Sequence, residues 1–200
     1  MTLRFAVSVA AIALLSACGS KGSDSSAPAA PVAAVAAPAG QDWTQVVSKT
    51  PDGGYVMGNP NAAIKLIEYG SRTCPTCGAF GQTGMKPLEE KYVKSGKVSY
   101  EFRDFLVHAP DLGVAALGEC VGEAPFFPLL EQMYMEQPAF LEKLEKVPAD
   151  FQQKLQAMTP AQQATAWVEF LGYIDFVKQR GVTEQQARAC LADAKKLEAI

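Results

Sequence analysis

The sequence predicts an α/β fold, a strand–helix–strand unit followed by a long helical block, and three observations carry that prediction. "AIKLIEYG" alternates as a strand does, with Ile64, Leu66 and Glu68 on one face and Lys65 and Ile67 on the other. "GAFGQTGMKPLEEKYVKSG" places Phe80, Met85, Leu88 and Tyr92 near a helical period and ends on Gly96. "KVSYEFRDFLV" alternates again, with Val98, Tyr100, Phe102 and Asp104 on one side. A helix between two strands makes a βαβ unit, so the strands are expected to run parallel with a right-handed crossover.

The elements follow in chain order. Met1 to Arg4 form a short basic start, and Phe5 to Leu15 is an apolar run of signal-peptide length. A helix that spans a bilayer needs about 20 apolar residues, more than this run supplies. The run ends in Leu15-Ser16-Ala17-Cys18, which resembles the bacterial lipobox, whose cysteine is lipidated and becomes the mature N-terminus. Gly19 rather than Asp follows it, which favours an outer-membrane anchor. "SSAPAAPVAAVAAPAG" offers little to bury and is broken by prolines, so it reads as a tether. The expected organisation is a signal over 1–17, a tether over 18–41, the strand-bearing part over 42–108 and a helical part over 109–200.

"DGGYVMGNPNA" reads as turns, punctuated by Asn59-Pro60-Asn61. Two glycines and Pro87 predict a kink in the helix after the first strand. Beyond Asp111, "DLGVAALGECVGE" and "FFPLLEQMYMEQ" are apolar segments able to pair as a hairpin. Three more helical segments follow, "PADFQQKLQAM", "TPAQQATAWVEFLGYIDFVKQRG" and "VTEQQARACLADAKKLEAI", with Thr159 and Thr183 as N-caps. Glu184 or Gln186 supports the second cap. Trp167, Phe170, Tyr173, Ile174 and Val177 recur at helical spacing and are expected to pack as core.

Five cysteines leave one over in an exported chain; if Cys18 carries lipid, Cys74, Cys77, Cys120 and Cys190 make two pairs. Cys120 and Cys190 read as a structural bridge between helices, although four cysteines allow three pairings. Cys74-Pro75-Thr76-Cys77 falls between a strand and a helix. Unpaired N–H groups and the helix dipole favour a thiolate at Cys74, and Cys77, one turn on, is placed to resolve a mixed disulfide. Pro75 suits the first turn, and the Thr76 hydroxyl is a donor for the thiolate. Glu68, six positions earlier on an apolar strand face, is a candidate proton carrier for Cys77, because burial raises a carboxyl pKa. His108, the one histidine, reads as a turn residue.

Strand, "IEYGSRTCPTCGAF", helix, then "VSYEFRDFL" and helices resembles the DsbA-like branch of the thioredoxin superfamily. The resemblance implies a thioredoxin-like fold with a helical insertion, Cys74 as attacking thiol, Cys77 as resolving thiol and Glu68 as buried acid. It also implies a cis-proline loop facing the cysteines on a strand after the insertion. No proline follows Pro160 and the text to Ile200 stays helical, so that loop and the last strands are expected to be missing.

The function expected is an exported protein disulfide oxidoreductase, lipid-anchored in the periplasm and without cofactor. Its partners would be cysteine-containing or unfolded proteins and a redox partner protein. The rivals are copper or zinc binding through the two-cysteine motif, with Met85 as a nearby soft ligand, and a redox-inactive lipoprotein. A net charge of -3 excludes the basic footprint of nucleic-acid binding.

Overall fold

The computed structural model describes residues 31–200; the expected signal, Cys18 and the tether up to residue 30 lie outside the described residues. Among them, the strands are β1 (Val47–Lys49), β2 (Tyr55–Gly58), β3 (Ile64–Gly70) and β4 (Val98–Asp104), in one sheet ordered β1-β2-β4-β3. β3 and β4 pair in parallel, as the βαβ reading requires, from Ile64 opposite Val98 to Gly70 opposite Asp104.

Two strands escaped the sequence reading. The stretch taken for turns contains β2, which pairs antiparallel with both β1 and β4. Gly53, at φ 88°, makes the hairpin turn, and Tyr55 and Met57 of β2 are buried. Strands of three and four residues are too short to show a period between glycines and Asn59-Pro60.

β4 lies inside the sheet with Tyr100 and Phe102 fully buried. β3 is an edge strand. Its alternation predicts one covered face, yet Leu66 on one face and Ile67 on the other are 40% and 41% exposed. A strand with a neighbour on one side only keeps side chains of both faces near water.

The helix after the cysteines is interrupted, as its glycines and Pro87 predict, and the break falls at Gly84. α1 (Pro75–Thr83) stops at Gly84, α2 (Met85–Leu88) follows, and a π-helical turn (Glu89–Val93) completes the segment. Gly96, at φ 71°, leaves room for the approaching chain: Val35 N–H donates to the Ser95 carbonyl at 2.9 Å, and Trp43 Nε1–H donates to the Val35 carbonyl at 2.8 Å.

The helical block holds α3 (Asp111–Gly118), α4 (Phe126–Glu145), α5 (Ala149–Leu155), α6 (Pro160–Leu171), α7 (Tyr173–Lys178), α8 (Glu184–Ala192) and α9 (Ala194–Ala199). Each of the last two predicted helices is split. Gly172, at φ 93°, ends α6 before α7, and the Asp193 side chain accepts from Lys195 and Lys196 N–H to start α9. Thr159 and Thr183 cap α6 and α8 in full capping boxes with Gln162 and Gln186. Tyr173, Ile174 and Val177 are buried in the helical core with Phe170 packed partly buried against it, and Trp167 is buried beside Phe151 and Phe170.

The expected hairpin of α3 and α4 does not form. α3 packs chiefly on α6 and α8, and α4 packs chiefly on α1. The reason is that α4 has two apolar faces. Phe126, Phe127, Leu130 and Tyr134 join the sheet core, where Phe126 stacks on Tyr55 with ring centroids 3.8 Å apart. Leu129, Met133 and Phe140 join the helical core. α4 therefore spans both cores. Cys120 and Cys190 are bonded as a disulfide across a sequence separation of 70, tying the turn after α3 to α8.

Candidate active site

Cys74 is the N-cap of α1, in extended conformation with Pro75 in the first helical turn and no side-chain cap bond. Both Cys74 and Cys77 are free thiols and partly exposed. Partial burial pushes the Cys74 thiol up, but the backbone N–H and thiol of Cys77 and the backbone N–H of Thr76 outweigh it, and the net shift is below the usual thiol value. Thr76 thus acts through its backbone rather than the hydroxyl expected. Burial drives Cys77 the other way, to about 11, with the Cys74 thiol and the Glu68 charge adding to it. One thiol is made acidic and its neighbour is kept protonated.

Glu68 lines the same groove as Cys77, a cleft of about 350 Å³ shared with Leu66, Thr76, Phe80 and Tyr100. Burial raises its carboxyl above the ordinary value, while the Tyr100 hydroxyl, donating to Oε2, pulls it partly back. The two pushes leave a carboxyl able to hold or release a proton beside Cys77. The fold therefore brings Glu68, Thr76 and Cys77 to one groove, while Cys74 caps the start of α1 one turn before Cys77.

The loop before Cys74 is fixed by residues distant in the chain, to none of which the sequence assigns this task. Arg72 is 98% buried, pairs with Asp104 at the end of β4, and lies over the rings of Phe102 and Phe126 at 5.3 and 5.4 Å. Gly118 of α3 is required there, because a Cβ would stand 2.5 Å from Arg72 Nε. The Thr73 hydroxyl donates to Asp111 Oδ1, which leaves His108 Nδ1–H as donor to the same hydroxyl oxygen at 2.8 Å. Asp111 Oδ2 accepts from Val107 and His108 N–H at 2.6 and 2.9 Å. His108 sits in the predicted turn and is exposed, yet it touches the residue before Cys74. These partners are 30 or more residues away in the chain, so local spacing gave no signal for them.

Among the described residues, no group of three or more His, Cys, Asp or Glu side chains is arranged to hold a metal ion. Cys120 and Cys190 are far from this in role, being bonded to each other.

A half-exposed cysteine pair at the head of a helix, on a parallel β-α-β unit with a helical block, is the arrangement of a thioredoxin-fold redox domain. The chain belongs to the thioredoxin family, whose model matches residues 50–200. It is similar to a solved protein-disulfide isomerase of Novosphingobium aromaticivorans, with 30% identity, a TM-score of 0.69, and coverage of 74% of this chain and 77% of that one. The fold also matches alpha-DsbA1 of Wolbachia pipientis at a TM-score of 0.51 and 20% identity, over 72% of this chain and 61% of that one. A provisionally named protein-disulfide oxidoreductase of Rickettsia prowazekii is 33% identical over 94 residues, 47% of this chain and 35% of the relative. A similarly named protein of Rickettsia bellii is 26% identical over 156 residues, 78% of this chain and 52% of the relative. The chain thus spans about a third to a half of the length of these curated relatives.

Proposed function

We propose that the protein is a thiol–disulfide oxidoreductase that exchanges disulfides with cysteine-containing protein substrates through Cys74 and Cys77. The observation that carries the reading is the opposed acidity of two thiols one helical turn apart. In the oxidised form, a substrate thiolate attacks Cys74 Sγ, the Cys74–Cys77 bond breaks, and Cys77 leaves as thiolate. Cys77 takes up a proton, with Glu68 as the carrier in the same groove. A second substrate thiolate then attacks the substrate sulfur of the mixed disulfide. Its attack forms the substrate disulfide and releases Cys74 as a thiolate, which its acidity makes a good leaving group. Run in reverse, the same steps reduce a substrate disulfide, with Glu68 removing the Cys77 proton.

The reading extends to location. The apolar run from Phe5 to Leu15 and the Leu15–Cys18 sequence support export to the periplasm and lipid anchoring through Cys18, with the outer membrane favoured by Gly19. Cys18→Ala is expected to move the chain from the membrane to the soluble fraction.

The exchange reading is tested by alkylating the reduced, metal-free protein at about pH 5 and reading peptide masses. Rapid labelling of Cys74 with slow labelling of Cys77 is the expected result. Equal, slow labelling of both would remove it.

A further inference from the structure

α1 and α4 approach unusually closely, and a glutamine from each side reaches across the contact. Gly78 and Gly81 are the buried residues of α1. A Cβ on Gly78 would stand 2.1 Å from Gln137 Oε1, and one on Gly81 would stand 2.3 Å from the Tyr134 ring. Gln137 is buried in α4, and its Nε2 group donates to the Arg72 carbonyl at 3.0 Å and to the Cys74 carbonyl at 2.9 Å. Both amide hydrogens are therefore spent on the backbone of the cysteine turn. The second contact runs the opposite way. Pro138 inside α4 has no N–H to bond the Tyr134 carbonyl four residues back, and Gln82 Nε2 of α1 donates to that carbonyl at 2.7 Å.

The two contacts differ in what they hold. Gln82 ties the far part of α1 to α4, whereas Gln137 holds the carbonyls on either side of Thr73 and so sets the direction in which the turn enters the helix. The Cys74 carbonyl also accepts from Gly78 N–H at 2.9 Å, the first bond of α1. Resting on the exchange reading above, we propose that Gln137 is a positioning residue of the reaction. It reaches from the helical block to fix the Arg72 and Cys74 carbonyls, and so keeps the Thr76 and Cys77 N–H groups aimed at the Cys74 sulfur. The amide protons also cancel part of the negative ends of carbonyls that lie beside a developing thiolate. The other charged or titratable groups that act on this sulfur are Cys77, on the same helix, and Asp111 of α3; Glu68 of β3 acts on Cys77. None of them hydrogen-bonds Gln137, so its removal isolates the turn.

The test compares the full chain with Gln137→Met, which keeps the volume and removes both donors, and with Gln82→Met, which loses the other amide contact. The pH midpoint of Cys74 alkylation and the thiol–disulfide equilibrium with glutathione are read for each, with folding followed by circular dichroism. Gln137→Met is expected to raise the midpoint and slow labelling at pH 5 to 6 roughly tenfold, the equivalent of one pKa unit. Gln82→Met is expected to lower the melting temperature while leaving the midpoint in place. Gly78→Ala, which pushes the Gln137 amide away from the opposite side, shifts the midpoint as Gln137→Met does and serves where that variant folds poorly. An unchanged midpoint in folded Gln137→Met or Gly78→Ala, against an acidic wild-type Cys74, overturns this inference alone. An equal shift in Gln82→Met also overturns it, since general loosening of α1 then explains both. A wild-type Cys74 without acid-pH labelling removes the exchange reading and this inference with it.

Discussion

The two cysteine pairs of this chain are held in opposite ways. Cys74 and Cys77 are one helical turn apart, partly exposed and free, and the surroundings divide their acidity. Cys120 and Cys190 are 70 residues apart and joined, and their bond ties two pieces of one apolar core, α8 and the turn after α3. A short loop constrains the unfolded chain little, and the helix start stabilises the broken bond by holding a thiolate. A loop of 70 residues constrains the unfolded chain much more, which favours the closed bond. On the proposed exchange reading, the same side chain serves exchange in one region and stability in the other, according to loop length and local electrostatics.

Exchanging the roles by mutation is the largest test of this contrast. Cys74→Ser is expected to reduce exchange with a model disulfide to background while changing unfolding free energy by less than about 1 kcal/mol. The double variant Cys120→Ser/Cys190→Ser is expected to do the reverse. Opening a loop of 70 residues costs about 4 kcal/mol in the chain-entropy model, or roughly ten degrees in melting temperature, with acid-pH labelling of Cys74 retained. Loss of Cys74 labelling in the double variant would show that the two regions are not separable.

Glu68 sharpens the contrast at the redox end. Burial raises its folded pKa above the ordinary value of 4.5, so the folded chain holds the proton more tightly than the unfolded chain. Its contribution to stability is full below pH 4.5 and is lost as pH rises through the folded value. Glu68→Gln removes that loss. In the oxidised protein, where neither thiol titrates, the variant is expected to gain stability over wild type at neutral pH and to match it more closely in acid. Its exchange rate is expected to fall on the order of a hundredfold at neutral pH, the usual worth of a positioned proton carrier. Stopped-flow exchange and denaturant titrations at several pH values read the two effects. A slower variant with no pH-dependent gain in stability would mean that Glu68 is solvated in both states.

The parts of this arrangement written locally were legible in the sequence. The position of Cys74 at the head of α1 follows from a strand, two closely spaced cysteines and a helix, all within residues 64–83. The kink at Gly84, the caps at Thr159 and Thr183 and the parallel pairing of β3 with β4 were readable for the same reason. What was not readable depends on contacts distant in the chain. Gln137 meets Cys74 across 63 residues, and Tyr100 meets Glu68 across 32. The period of α4 shows apolar faces but not that they belong to two different cores, so the hairpin with α3 was the natural and incorrect reading. β1 and β2 were lost because their hydrogen bonds, rather than any period of their own, make them strands.

The smallest expected effect comes from comparing how α1 and α8 begin. α8 is capped in full: Thr183 Oγ1 accepts from Gln186 N–H at 3.2 Å, and Gln186 Oε1 accepts from Thr183 N–H at 2.9 Å. α1 starts at Cys74 with no side-chain cap bond, so its first N–H groups remain available to a sulfur anion. Thr183→Ala is expected to cost about 1 kcal/mol, a few degrees of melting temperature, and to leave Cys74 labelling as in wild type. Cys74→Ser substitutes a preferred cap residue at the other helix and is expected to stabilise the reduced protein by a few tenths of a kcal/mol at acidic pH, where the wild-type sulfur is a thiol. Above the Cys74 pKa the wild type recovers that difference, because its thiolate then takes the same N–H groups. Melting curves of the two proteins against pH should therefore converge as pH rises; curves that stay parallel would mean that the start of α1 gives the thiolate no help.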